Sequence, residues 1–390
     1  MSTIIRTRSP FFIRTPEQTS SLLSYFQIQV TIKDGELNVA GCPVSLGSFT
    51  LKKKPIGDED SVTIEISELV NDFIEQKFIN NTPLTGYNTS ADTQSVWVTV
   101  QTSARQSDGT IIGSATTTNY LAQEGYNDFK DGVNYTTEPI AMISGSYIQY
   151  KKGEYIYLPV NAERVTSVAF KNNGSTISTQ AVSNPSESSG KIFYASYHAI
   201  SQEIDEIVVT YDDEETTSIT VEGVDECKFD VNKIVFLNRW GAFQDLFFFK
   251  KSVSSLESRS ENFKASIFEA NKITYSEREG DCTPSSTFNT YSTTAHTKKT
   301  FNRNATESIL LNTGFVPESM NPYFEELMVS EYAWIVDVST PLGIGENSAD
   351  RVKPVNLKDT SFTYKTGLND RLINYTMNFE YSFDLVNNIR

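Results

Sequence analysis

The sequence predicts a mainly β, multidomain protein with an antiparallel β-sandwich architecture and one or two short helices. Apolar and polar residues alternate with a period of two in many short segments, and turn residues separate those segments. The length supports the same prediction, because 390 residues with 38% hydrophobic side chains are enough for two or three globular domains.

Strands in the first part of the chain are predicted from this alternation. Residues Phe26–Ile32 place every apolar side chain on one face of an extended chain. Val96–Val100 and Ile111-Ile112 flank Asp108-Gly109, a dipeptide typical of tight turns. This second pattern predicts a β-hairpin.

Two segments have helical spacing instead. Apolar residues at intervals of three and four predict an amphipathic helix over about residues 66–79, with Ser61 or Ser67 as its cap and Asn80-Asn81 as its end. An asparagine that can cap and a proline in the following position predict a shorter helix over about residues 321–329, because proline is tolerated in the first turn.

Polar, turn-rich stretches at Gly125–Glu138 and Val221–Asp230 divide the chain into three predicted domains. These are an N-terminal β-rich domain over 1–135, an immunoglobulin-like β-sandwich over 136–226 and a C-terminal β-rich domain over 227–390. The predicted strands of the middle domain are Tyr147-Ile148, Tyr155–Val160, Val165–Phe170, Ile192–Tyr197, Ile207–Tyr211 and Ser218–Val221.

The last domain contains two strongly patterned segments. Residues Lys233–Lys250 carry two apolar runs around Trp240-Gly241, which predicts a hairpin buried on both faces, with Phe247–Phe249 packed in the core. Residues Leu372–Phe383 alternate throughout, which predicts one strand that crosses a whole sheet. We expect this end strand to be available for pairing between subunits.

The net charge and the distribution of apolar residues argue against several classes of protein. A net charge of −16 argues against nucleic acid as a partner, because phosphate binding needs clustered cations. No segment reaches the roughly 18 uninterrupted apolar residues of a membrane span, and the N-terminal residues lack the apolar core of a secretory signal. Cys42, Cys227 and Cys282 are widely spaced, which predicts three small buried thiols made in a reducing cytosol.

Residues that could carry chemistry are few. The only histidines, His198 and His296, have no nucleophile motif near them. The acidic residues at Glu203–Glu206 and Asp212–Glu215 lack the spacing of a calcium loop and predict a solvated hairpin tip. No cofactor, metal or catalytic residue is predicted. Paired carboxylates for glycoside cleavage remain open, because their separation in space decides their role.

The N-terminal arm, residues 1–16, combines three arginines with two adjacent phenylalanines ahead of the first predicted strand. Aromatic and arginine side chains are enriched at interface cores, so we expect the arm to dock on a neighbouring subunit. The residues expected to make this contact are Arg6, Arg8, Phe11, Phe12 and Arg14. The alternative is that the arm forms a local strand packed on its own chain.

Short phrases spread over most of the chain carry a family resemblance: Arg8–Ile13, Gly125-Tyr126, Asp131–Asn134, Phe236–Asp245, Phe248–Ser252, Leu311–Phe315, Leu327–Trp334, Asn369–Thr376 and Asn387–Arg390. In this order they resemble structural proteins of tailed bacteriophages, particularly of marine and aquatic hosts. The resemblance implies a virion component of the tail, baseplate or collar. The resemblance assigns no functional role to any individual residue of this chain.

The expected function is therefore non-enzymatic. We expect a virion protein, made in the host cytoplasm, that forms a ring-like element through contacts with its own copies and with other virion structural proteins. Antiparallel β modules supply rigid surfaces and sheet edges for such contacts. The alternatives are a host-surface carbohydrate-binding module, with exposed Tyr or Trp in the middle domain as the ligand surface, and a glycan-cleaving enzyme.

Overall fold

The computed structural model describes residues 3–34, 45–56, 60–76, 78, 94–134, 141–162, 164–182, 192–198, 202–265, 293–338, 352–361, 363–365 and 372–386. These residues form several mostly antiparallel sheets and two short helices, with 56% of residues in strands and 7% in helices. The predicted fold class is confirmed.

The first part of the chain forms a five-stranded sheet and a two-stranded one. Its strands are β1 (Thr3–Arg6), β2 (Phe12–Arg14), β3 (Tyr25–Lys33), β4 (Ser45–Lys53), β5 (Thr63–Glu65), β6 (Ser95–Arg105) and β7 (Ile111–Gln123). The larger sheet has the order β1-β7-β6-β3-β4, and only β1 and β7 run parallel. The strands β2 and β5 pair with each other.

The period-two pattern explains how this sheet packs. In β3 the side chains of Phe26, Ile28, Val30 and Ile32 are buried, while the residues between them are partly exposed. The predicted hairpin is confirmed, because β6 and β7 are antiparallel neighbours joined at a turn in which Gly109 has φ +90°. A positive φ favours glycine, which is why the sequence signal is reliable here.

The predicted helix over 66–79 is wrong in length. The structure has a helix, α1, only over Ser67–Asn71, and the strand β5 (Thr63–Glu65) ends just before the predicted start. The apolar spacing predicts burial correctly, since Val70 and Ile74 lie in the core. The backbone nevertheless leaves the α-helix after Asn71, where the N–H of Ile74 donates to the Asn71 carbonyl in a tighter turn.

The ends of this helix also differ from the prediction. Ile66 occupies the cap position without a side-chain cap. Ser67 instead donates its N–H to the Glu65 carboxylate. The predicted end at Asn80-Asn81 lies outside the described residues.

The middle part forms a five-stranded sheet, β11-β10-β13-β14-β8, and a two-stranded sheet, β12-β9. The strands are β8 (Tyr147–Lys151), β9 (Tyr155–Asn161), β10 (Val165–Asn172), β11 (Ser175–Ala181), β12 (Ile192–His198), β13 (Glu206–Tyr211) and β14 (Thr216–Val224). All six predicted strands are present. The sequence pattern missed β11, because its side chains are mostly polar and at least partly exposed. The strands β14 and β8 are parallel.

The last part forms a seven-stranded sheet with the order β16-β15-β20-β21-β23-β18-β17, and a small pair, β19-β22. The elements are β15 (Asn232–Leu237), β16 (Phe243–Phe248), β17 (Val253–Lys264), β18 (Lys298–Asn312), β19 (Val316–Pro317), α2 (Asn321–Val329), β20 (Ala333–Asp337), β21 (Val352–Leu357), β22 (Leu372–Ile373) and β23 (Thr376–Tyr381). The buried hairpin β15–β16 and the short helix α2 are confirmed. The predicted cap is wrong, because Met320 occupies the cap position and Asn321 is the first helical residue.

The single long strand predicted over Leu372–Phe383 is interrupted. The strands β22 and β23 belong to different sheets, although Tyr375 between them is still buried. The N–H of Tyr375 donates to the Thr313 hydroxyl, and the Tyr375 carbonyl accepts from the Thr313 N–H, so this backbone leaves the ladder. Because β23 lies between β21 and β18, it is not a free edge for a neighbouring subunit.

One hydrophobic core joins the middle and last parts of the chain. It runs from Met142 to Phe379 and contains Phe247–Phe249, as predicted. Across it, the N–H of Phe243 donates to the Tyr194 hydroxyl at 2.9 Å. The division at residues 135 and 226 stays a prediction.

The cysteine prediction is wrong for Cys227, which is exposed in the loop between β14 and β15 beside Glu226 and Lys228. Cys42 and Cys282 lie outside the described residues. Among the helices that the structure describes, none is long and apolar enough to cross a membrane.

Candidate assembly site

The N-terminal arm is bound to its own chain over most of its length. Strand β1 runs parallel to the end of β7, and β2 pairs with β5. Between them, the Arg8 N–H donates to the Gly125 carbonyl at 3.0 Å. The backbone of the arm therefore follows the alternative prediction, in which the arm forms a local strand on its own chain. Which parts of the arm a neighbouring subunit could still contact depends on the exposure of its side chains.

Arg6 is an interior residue. Its side chain is 1% exposed, and its guanidinium lies 4.6 Å from the centre of the Trp240 ring. One guanidinium nitrogen also donates to the Trp240 carbonyl at 3.3 Å. Arg6 therefore holds the turn between β15 and β16 against the first sheet and is not available to another subunit.

Arg8 binds the end of helix α2. Its guanidinium donates to the Val329 carbonyl at 3.1 Å and forms an ion pair with Glu331 at 3.1 Å. The last carbonyls of a helix lack helical partners and carry partial negative charge, so a cation is favoured there. The same guanidinium lies 5.5 Å from the centre of the Tyr126 ring.

The alternation of β2 determines the environment of the remaining arm residues. Ile13 points into the core, while Phe12 is 60% exposed and the Arg14 side chain is 67% exposed. The Phe11 ring packs edge-on against Tyr120 with 5.3 Å between ring centres. Of the five predicted contact residues, Phe12 and Arg14 are thus the mostly exposed ones, and the Arg14 guanidinium already bonds to Ser61 and Glu17. Their docking role stays a prediction.

Behind the arm lies a groove of about 720 Å³, where the arm, the segment after β7, the β15–β16 turn and α2 meet. Its walls combine aromatic rings with charges of both signs. They are formed by Arg8, Tyr126, Asn127, Asp128, Phe129, Ile143, Ser144, Arg239, Trp240, Pro322, Glu325, Glu326 and Val329. Sequence analysis missed this groove, because its residues come from five separate segments: the arm, the segment after β7, the segment before β8, the β15–β16 turn and α2.

Glu326 is the buried carboxylate of the groove. The Ser144 hydroxyl donates to one of its oxygens, and the Arg239 N–H donates to the other at 3.3 Å. Burial raises the pKa of Glu326 to about 7, although these hydrogen bonds and the charge of Arg239 oppose the rise. Because both oxygens bind groups of the chain itself, Glu326 fastens α2 to the β15–β16 turn.

A second buried carboxyl, Glu124, lies where β7 leaves the first sheet. Burial raises its pKa to about 7, the nearby charge of Glu331 adds to the rise, and Arg8 and Gln76 oppose it. Two carboxyl groups that titrate near neutral pH therefore lie at the junction between the first sheet and the rest of the chain.

Strands β17 and β18 form a two-stranded ribbon at one side of the last sheet. All twelve side chains of β17 are exposed, and β17 is the outermost described strand on its side of the sheet. Strand β23 pairs only with Ser308–Asn312 of β18. The part beyond, here called the distal ribbon (Arg259–Lys264 with Lys298–Arg303), is about 20 Å long at about 3.3 Å per residue.

Sequence analysis also missed the ribbon. Neither face of β17 is apolar, so the strand lacks the alternation by which half-buried strands are found. The signal that was present is charge, because the distal ribbon carries five basic residues and one acidic residue in a chain of net charge −16. The charge of the distal ribbon is thus opposite in sign to the net charge of the chain.

The acidic residues Asp212–Glu215 form the exposed turn between β13 and β14, here called the acidic turn, as predicted.

The two histidines lie apart from the groove. His198 stacks on Tyr155 with 3.9 Å between ring centres, and His296 is exposed. Among the described residues, no group of three or more His, Cys, Asp or Glu side chains is placed to hold a metal ion.

Neither a protein-family model nor a curated protein sequence matches the chain.

Proposed function

We propose that this protein is a non-enzymatic structural component of a tailed-bacteriophage particle and assembles with copies of itself into a ring-like tail, baseplate or collar element. The sequence resemblance supports membership of a virion. The exposed ribbon β17–β18 supports assembly through contacts between chains, and it is the observation that carries the proposal.

A two-stranded ribbon with no covering layer is at best marginally stable in water. Along one edge of β17 the backbone groups face no other described strand, and such an edge is a template for pairing with another chain. Leu256, Phe263 and Phe301 on the ribbon are 59%, 49% and 61% exposed, so a covering neighbour would bury apolar surface.

The experiment shortens the ribbon. Residues 257–306 are replaced by an Asn-Gly turn, which keeps Leu256 and Glu307 as the last opposed pair. We expect this variant to keep its β-rich circular dichroism spectrum and to be missing from particles purified by density gradient, because the contact surface is gone. Mass spectrometry and electron microscopy of the particles measure incorporation.

Point variants make the test independent of the deletion. Leu256→Ser with Phe301→Ser should reduce incorporation, whereas Ile56→Ser, which changes an apolar residue that is 74% exposed outside the ribbon, should not. Purified particles that contain no wild-type chain would contradict the proposed function.

A specific observation favours one alternative, the carbohydrate-binding module. The Tyr155 ring stacks on His198 and lies 6.0 Å from the Tyr157 ring, which makes a row of aromatic rings on the β9–β12 sheet. Rings with polar tips suit surfaces that are partly apolar and partly wet. The full chain on a glycan array tests it: binding that disappears in Tyr155→Ala would favour the adhesin over the structural role.

A further inference from the structure

Most of the positive charge of the distal ribbon is not neutralised by ion pairs within the described part of a single chain. Lys264, Lys298, Lys299 and Arg303 are exposed, and none of them forms an ion pair with any residue that the structure describes. Lys264 lies directly opposite Lys298 in the register of the ribbon. Like charges directly opposite on neighbouring strands destabilise a sheet, so this element is unfavourable when it is alone.

The acidic turn also carries charge that is not neutralised within one chain, and its charge is negative. Asp212, Asp213, Glu214 and Glu215 are consecutive, exposed and without an ion-pair partner in the described part of the chain. Glu214 has φ +66°, a backbone conformation that L-residues other than Asn and Asp seldom adopt. The turn therefore holds four mutually repelling carboxylates in a fixed hairpin between β13 and β14.

We propose that the distal ribbon of one copy of this chain docks on the acidic turn of the next copy. This inference rests on the proposed function and names its contact. Four unpaired cations on one surface would face four unpaired carboxylates on the other, and each repulsion would be relieved by the partner's charges. A second copy is the favoured occupant because the chain itself carries both complementary surfaces.

The two surfaces belong to different sheets, so the contact is heterologous. A contact between unlike patches repeats from copy to copy and closes into a ring when the rotation allows it. The same contact depends on salt, because exposed charges are screened. Assembly of the purified full chain should therefore weaken with increasing ionic strength.

The experiment measures the mass of the purified full chain by sedimentation velocity over a concentration series. The two salt conditions are about 0.1 M and about 1 M, between which the Debye length falls from about 10 Å to about 3 Å. The ribbon variant is K298E/K299E and the turn variant is E214K/E215K. The control, K54E/K228E, makes the same change in net charge as the ribbon variant at exposed lysines outside the ribbon.

We expect the wild-type chain and the control to assemble in low salt. Each interface variant should need about a tenfold higher concentration or more for half-assembly, because two attractive charge pairs become repulsive. Mixing the two variants should restore assembly, since the reversed ribbon of one then faces the reversed turn of the other. Restoration by mixing cannot arise from misfolding, and thermal melts of each variant confirm the fold.

Two results would overturn the inference. If the wild-type chain assembles and both variants assemble equally well, the ribbon and the acidic turn are not the contact, and the proposed function stands. If the wild-type chain stays monomeric throughout, copies do not dock by this contact. The proposed function is then decided separately by whether purified particles contain the chain.

Discussion

Arg6 and Arg14 belong to the same N-terminal arm, but the fold places them in opposite environments. Arg6 is buried against Trp240, whereas the Arg14 side chain is 67% exposed and bonds to Ser61 and Glu17. The sequence of the arm cannot distinguish them, because the difference is made by the β15–β16 turn, more than two hundred residues further along the chain. Sequence reasoning therefore identified the arm and misjudged which of its residues face outward.

Arg6→Ala should destabilise the fold by about 2–4 kcal/mol, because it removes a buried side chain, a cation–π contact and a hydrogen bond. Arg14→Ala makes the same chemical change at the surface and should cost less than about 0.5 kcal/mol. Urea unfolding followed by circular dichroism measures both. Equal losses for the two variants would show that Arg6 does not hold the arm in the interior.

The raised pKa of Glu326 makes its contribution to stability depend on pH. The folded-state pKa is about 7 and the ordinary pKa of a glutamate is 4.5, so the favourable contribution is complete below about pH 4.5 and is lost as the pH rises through 7. Glu326→Gln mimics the neutral form. Relative to the wild-type protein, it should gain up to about 3 kcal/mol between pH 4.5 and 8, at about 1.4 kcal/mol per pKa unit.

The measurement is the free energy of unfolding of both proteins across this pH range, compared as a difference so that other titrating groups cancel. Glu325→Gln, which removes the neighbouring carboxyl of the same groove, is the control for the loss of one negative charge. A flat difference for Glu326→Gln would mean that the Glu326 carboxyl is not strongly desolvated.

At the scale of elements, the sequence predicts strands whose burial alternates and misses those whose burial does not. The hairpins β6–β7 and β15–β16 were predicted because their apolar residues and turn residues agree. Strand β17 was missed because all its side chains are exposed. The helix over 66–79 was predicted too long, because the spacing of Ile66, Val70 and Ile74 reports which residues are buried and not where the backbone changes its hydrogen bonding.

The turn between β15 and β16 depends on glycine at one position. Gly241 has φ +79°, and a Cβ there would lie 2.0 Å from the Glu124 carbonyl oxygen. Gly241→Ala should therefore cost about 3 kcal/mol or more, from steric overlap added to the left-handed backbone. Gly174→Ala has a similar φ of +75° with no atom within 4 Å, and should cost only about 1–2 kcal/mol.

Thermal melts of the two glycine variants separate the two causes. Equal losses of stability would mean that the backbone conformation alone sets the cost, and that the close approach of the β15–β16 turn to Glu124 is not needed.

At the scale of the whole molecule, the middle and last parts share one core. Besides the Phe243–Tyr194 hydrogen bond, the Asn238 side chain donates to the Met142 carbonyl at 2.6 Å. We expect residues 136–226 expressed alone to lack a cooperative melt, because the apolar surface that faces the last sheet is then exposed to water. Residues 136–390 should melt cooperatively.

Near-ultraviolet circular dichroism and calorimetry on both fragments test this. A cooperative, native-like melt of the shorter fragment would show that the middle sandwich is an independent domain and that its contacts with the last sheet are secondary.

The position of β23 has a consequence for how the chain is made. Strands β21 and β18 are joined only through β23, the last described strand in the sequence. Until the ribosome has released residues 376–381, the seven-stranded sheet remains in two halves, and the β17–β18 hairpin has no strand to attach it to the other half. A nascent chain that stops before β23 therefore carries two unpaired strand edges, one on β21 and one on β18, which β23 covers in the described sheet.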